Sequence, residues 1–171
     1  KQSIHDELSN VQPIFQFQRW VHMDDYHITL AFLGAADEQR LQEAIDLVGK
    51  AIKDEKSFPL QIIGLNVFGN SKAPRIFWGA VNEEARLYEL QAIVHKKCLE
   101  AGFTLESRPY HPHITIARKW SAHEDFNPQI LTKHNPFQEK PLCFTVNEIV
   151  LYKTNVDKTP KYEPIVRFSL E

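Results

Sequence analysis

Tyr26-His27-Ile28-Thr29-Leu30-Ala31-Phe32-Leu33 is the stretch on which the reading of this chain turns. It is β-branched and aromatic and is closed by Gly34, which predicts a strand over residues 26–33. Its centre, His27-Ile28-Thr29-Leu30, returns 86 residues later as His113-Ile114-Thr115-Ile116. Side chains alternate along a strand, so His27 and Thr29 share one face and Ile28 and Leu30 the other. The same holds for His113 and Thr115. Each copy thus buries an aliphatic pair and presents an imidazole beside a hydroxyl.

Outward from this repeat the elements follow from periodicity. Ile4, Leu8 and Val11 fall at helical spacing, so the chain reads as starting inside a helix, with something upstream of Lys1 removed or not included. Phe15, Phe17, Trp20 and Val21 predict a short strand that turns at Met23-Asp24-Asp25. Asp37 is placed to cap a helix with the apolar stripe Leu41, Ala44, Ile45, Val48 and Ile52. Residues 58–68 and 75–81 read as strands joined by a turn-rich loop. A second helix turns Leu87, Leu90, Val94, Cys98 and Ala101 inward, with Gly102 at its C-terminal end. Strands are predicted at 113–117, 143–152 and 162–170, and a loop with one short helix at 121–136. Helices alternating with strand pairs predict an α+β fold with antiparallel sheets.

Composition limits the function. The chain has 171 residues, 43% hydrophobic and 25% charged, enough for one globular domain with a substantial core. A net charge of -2 gives no global basic field for a long polyanion. No apolar run reaches membrane-spanning length, and no start resembles a secretion signal. Two cysteines, Cys98 and Cys143, make neither a disulfide scaffold nor a four-cysteine zinc site. They read as buried thiols in a reducing compartment, the cytoplasm.

Two histidines with two hydroxyls suit phosphoester cleavage. A neutral imidazole takes the proton of the attacking oxygen, an imidazolium protonates the leaving oxygen, and threonine hydroxyls donate to non-bridging oxygens. No metal is required, because imidazolium, hydroxyls and a nearby guanidinium meet the charge. The plainer alternative is a pair of edge-strand histidines facing solvent. His111 and His113 also form an H-x-H with metal-ligand spacing, but no carboxylate or further histidine set completes a shell. Arg19, Arg75, Arg108 and Lys119 fit either a basic rim for RNA phosphates or a solvated face. Trp20, Trp78 and Trp120 fit either base stacking or packing.

The extended motifs resemble a known family. His27-Ile28-Thr29-Leu30-Ala31-Phe32-Leu33-Gly34 looks like the first motif of the RNA 2',3'-cyclic phosphodiesterases, and Tyr110-His111-Pro112-His113-Ile114-Thr115-Ile116-Ala117-Arg118 like the second. These are the LigT-like or 2'-5' RNA ligase proteins of the two-histidine phosphoesterase superfamily. Arg75-Ile76-Phe77-Trp78, Val150-Leu151-Tyr152-Lys153 and Tyr162-Glu163-Pro164 fit too, and the likeness runs from about residue 18 to the end. The resemblance implies a single bilobal domain over residues 1–171, with pseudo-twofold symmetry and a central cleft. Relatives open with an apolar strand that this sequence lacks. It implies hydrolysis of RNA 3' ends bearing a 2',3'-cyclic phosphate, or of cyclic nucleotides, to a 2'-phosphate. The expectation is an enzyme that uses no cofactor or metal, meets no membrane and acts as a monomer.

By the same resemblance His27 is the general acid and His113 the general base. Thr29, Thr115 and Arg118 bind the phosphate, and Phe32 lies near the terminal base or sugar. Arg118 and Phe32 each come five residues after a motif histidine, so strict alternation aims them away from the cleft unless the strand ends or bulges. Two other readings share the site: a 2'-5' RNA ligase, and a non-catalytic module binding RNA ends or nucleotides.

Overall fold

In the computed structural model, which describes residues 1–171, helix α1 (Gln2–Ser9) buries Ile4 and Leu8. Strand β1 (Phe17–Trp20) and a 3₁₀ turn at Met23–Asp25 follow. Helix α2 (Glu38–Ala51) starts at Asp37, whose side chain accepts from the amide of Arg40, as the sequence predicts. Strands β2 (Phe58–Gly69) and β3 (Pro74–Val81) form a hairpin. Helix α3 (Ala85–Glu100) buries Leu87, Leu90, Val94 and Cys98. Gly102 just beyond it takes a φ of 68 to 109° found at three glycines here, its own being 86°. Strand β4 (His113–Trp120), the short helix α4 (Gln129–Lys133) and strands β5 (Leu142–Val146), β6 (Glu148–Thr154) and β7 (Tyr162–Ser169) complete the chain.

The five-stranded antiparallel sheet has the order β1-β4-β3-β2-β5, and β6-β7 form a second, two-stranded sheet. The architecture is α+β with two antiparallel sheets, as expected, although the two are unequal in width. Two apolar clusters lie beneath them. One gathers Phe15, Phe17, Phe77, Ile114, Ile116 and Phe137, and the other packs α2 and α3 under Phe58 and Leu60. Ile28 touches both and so sits at their seam.

Three expectations need correction. Residues 26–33 do not form a strand: only Ile28 makes a bridge, to Ile114. Strand composition measures fit to a pleated, half-buried surface and needs a ladder partner to act. Here the Leu30 carbonyl accepts from the Gln91 side chain at 3.2 Å, while Leu30, Ala31 and Leu33 pack on the α2–α3 cluster. Residues 143–152 are not one strand either. The run breaks at Asn147, whose carbonyl accepts from the Leu170 amide, and its halves join different sheets. Finally, Cys98 is buried but Cys143 is exposed. Cys143 lies opposite Gln61 on the outward face of β5.

Candidate active site

The bridge between Ile28 and Ile114 is antiparallel. An antiparallel register through that bridge runs His27 toward Thr115 and Thr29 toward His113. Both isoleucines turn into the core, so the four polar side chains share the other face. The first motif therefore reaches the second through a single bridge and not through a ladder.

The two imidazoles are held alike. Nδ1 of His27 lies 2.7 Å from the Asp25 carbonyl, and Nδ1 of His113 lies 2.8 Å from the His111 carbonyl. A carbonyl only accepts, so each Nδ1 carries the proton and each Nε2 is left for chemistry. Nε2 of His27 is 3.1 Å from the Thr29 hydroxyl. Burial is the main cause that pushes both imidazoles below the usual histidine value, and the carbonyl bonds oppose it. His113 adds to the lowering of His27, and His111 and Arg118 to that of His113.

Aromatic walls fix the rings. The Tyr162 ring meets His27 edge-on with centroids 4.7 Å apart, and Tyr152 stands 6.0 Å away. On the other side Phe68 stacks on Trp78 at 4.5 Å, and the pair meets both His111 and His113. Trp78 is buried, so it packs and offers no open face for stacking.

Arg118 reaches the histidine face because β4 is irregular. Thr115 pairs with Trp78, but Ala117 pairs with Phe77, so β4 holds one residue more than β3 over this interval. Ile114, Ile116 and Ala117 all turn into the core, at 3%, 1% and 0% exposure. His113, Thr115 and Arg118 are left half-buried on the opposite side. Lys119 follows with φ 65°, a left-handed conformation that ends the regular alternation. The bulge that strict alternation lacks is thus present.

Phe32 is 76% exposed, which removes core packing as its role. It lines an apolar groove of about 1220 Å³ between residues 26–36, α2, α3 and β5–β6. His27 and Thr29 border this groove, whereas His113, Thr115 and Arg118 lie outside it. His111 is exposed, and no group of three or more His, Cys, Asp or Glu side chains is placed to hold a metal ion.

Sequence reasoning missed Asp25, which it used only as a turn residue. Its carboxylate is 7% exposed and accepts from the amides of Lys161 and Tyr162 at 3.0–3.1 Å. One residue thereby clamps the start of β7, seats Tyr162 on His27 and fixes the His27 tautomer through its own carbonyl. The only signal in the sequence was its position two residues before the motif histidine.

Comparison with known proteins places the chain in a family. The profile of the 2'-5' RNA ligase superfamily matches residues 15–158. The chain is 44% identical over 170 residues to an RNA 2',3'-cyclic phosphodiesterase of Geobacillus stearothermophilus, covering 99% of this chain and 53% of that protein. It is 35% identical over 159 residues to the RNA 2',3'-cyclic phosphodiesterase of Bacillus subtilis, covering 93% and 84%. It thus spans about half the length of the first relative and most of the second. In fold it matches Escherichia coli LigT, solved with 3'-AMP, with a TM-score of 0.77 at 22% identity over 99% of this chain and 92% of that one. With the profile covering most of the chain and both histidine motifs inside the matched span, the protein belongs to the 2'-5' RNA ligase superfamily.

Proposed function

We propose that the chain is a metal-independent phosphoesterase that opens the 2',3'-cyclic phosphate at an RNA 3' end to leave a 2'-phosphate. The carrying observation is the Ile28–Ile114 bridge, which sets two imidazoles, each with Nδ1 tied to a carbonyl, on one face. The names of the relatives supply the substrate class.

In this reading Nε2 of His113 takes a proton from water as the water oxygen attacks phosphorus. The bond from phosphorus to the 3' oxygen breaks, and Nε2 of protonated His27 gives its proton to that oxygen. The products are a 2'-phosphate and a 3'-hydroxyl. Thr29 and Thr115 donate to the non-bridging oxygens, and Arg118 adds a charge-assisted contact. Phe32 offers its exposed ring to the terminal base or sugar. The chain works as one bilobal domain and a monomer, and its free thiols suit the reducing cytoplasm. The reverse condensation, 2'-5' ligation, uses the same groups, and mass action sets the direction. A mere binding module has no need for two imidazoles with fixed tautomers.

The test is hydrolysis of a cyclic nucleotide in EDTA, with the product identified as the 2'-phosphate. His27→Ala and His113→Ala should each lower kcat about 10²–10⁴-fold with the circular dichroism unchanged. Loss of turnover in EDTA with recovery on adding zinc would replace this reading by a metal mechanism.

A further inference from the structure

Four of the seven arginines hold a carboxylate: Arg40, Arg86, Arg108 and Arg167, at 2.5–3.1 Å. The other three, Arg19, Arg75 and Arg118, make no ion pair and lie at one end of the same sheet. Arg19 on β1 stands directly opposite Arg118 on β4, and Arg118 pairs on its other side with Ile76, the neighbour of Arg75. Like charges directly opposed across two strands repel. Nothing in the protein relieves this pair, although acidic residues outnumber basic ones in the chain. Such a pair is what an anion between or beside the two guanidinium groups would stabilise.

The placement gives that anion an identity. Ala117 and Trp20 are paired and turn to the core side with Phe77, which leaves Arg19 on the face that carries Arg118, Thr115 and His113. Along β3 the partner of Arg118 lies two residues from the partner of Thr115, a step of about 7 Å. Arg19 is one strand further out. An extended sugar–phosphate chain covers this distance in one nucleotide.

We infer that Arg19 forms a second phosphate site, with Arg118 spanning the gap to the reacting phosphate. It takes the 5' phosphodiester of the nucleotide that bears the cyclic phosphate. This rests on the proposed cyclic phosphodiesterase reading and narrows its substrate to an RNA chain over a free cyclic nucleoside phosphate. Arg19 is a positioning residue that acts on substrate binding and not on the proton transfers.

The test compares adenosine 2',3'-cyclic phosphate with the dinucleotide ApA ending in the same cyclic phosphate. The wild-type protein should have the higher kcat/KM on the dinucleotide. Arg19→Gln should raise KM for the dinucleotide about tenfold or more with kcat held, and move KM for the mononucleotide less than twofold. Arg19→Lys should recover part of the loss. Arg19→Gln also removes a like-charge repulsion, so its Tm should equal or exceed that of wild type, which separates lost binding from lost folding. Equal effects on both substrates, or none, overturn the inference. Titration of a fluorescent dinucleotide across salt concentrations keeps the two ideas apart. If the wild type hydrolyses neither substrate, the proposed activity falls. A smaller salt slope for Arg19→Gln then still supports the phosphate site, and an unchanged slope overturns it.

Discussion

At the scale of single residues, the histidine pair was evident from its repetition, but its electrostatics were not. Burial lowers both imidazoles from an ordinary value near 6.5, so the free protein keeps them neutral further into acid. The proposed acid–base pair needs one neutral and one protonated ring. The bell of kcat/KM against pH should therefore peak below about 6.5. Bound phosphate favours imidazolium, so the kcat profile should lie at higher pH than the kcat/KM profile. Both curves, measured on one cyclic nucleotide in EDTA, check this. Asp25 belongs to the same scale. Asp25→Ala would leave the Lys161 and Tyr162 amides without their acceptor, at a cost of about 3 kcal/mol. Urea denaturation measures that cost. Loosened Tyr162 packing should also lower kcat in the folded variant.

Among elements, β4 carries the most information per residue. Alternation alone gives His113 and Thr115 one face, and it would give Arg118 the other. One extra residue at the Ile116–Ala117 step reverses the parity. The left-handed Lys119 then lets Trp120 return to Phe17, with ring centroids 5.3 Å apart. A non-glycine residue at positive φ is strained by about 1 kcal/mol, and a β-branched one by more. Lys119→Gly should thus raise stability by up to about 1 kcal/mol, and Lys119→Val should lower it by about 1–2 kcal/mol. Thermal unfolding of the two variants tests the sign of each change. Residues 26–33 teach the converse. Their composition is that of a strand, yet a strand is a relation between two segments, and only Ile28 finds its partner.

Across the whole molecule, the two lowered histidines link stability to pH. Each binds a proton less readily when folded than when unfolded, so below about 6.5 the unfolded chain takes up more protons. Their contribution is complete above 6.5 and is lost as pH falls through the lowered values. Urea midpoints should drop from pH 7.5 to pH 5, and the double variant His27→Gln/His113→Gln should flatten part of that slope. The amphipathic helices, the β2–β3 hairpin and the α+β class were legible because periods of 3.6 and 2 and local turn and cap chemistry write them into neighbouring residues. So was the candidate set His27, Thr29, His113 and Thr115, because its spacing within each motif is local. The break at Asn147, the bulge that turns Arg118 round, the clamp from Asp25 to Lys161 and the facing arginines depend on residues far apart in the chain. Their placement is decided by which backbone groups and apolar faces find partners on folding, and only the tertiary structure contains that information.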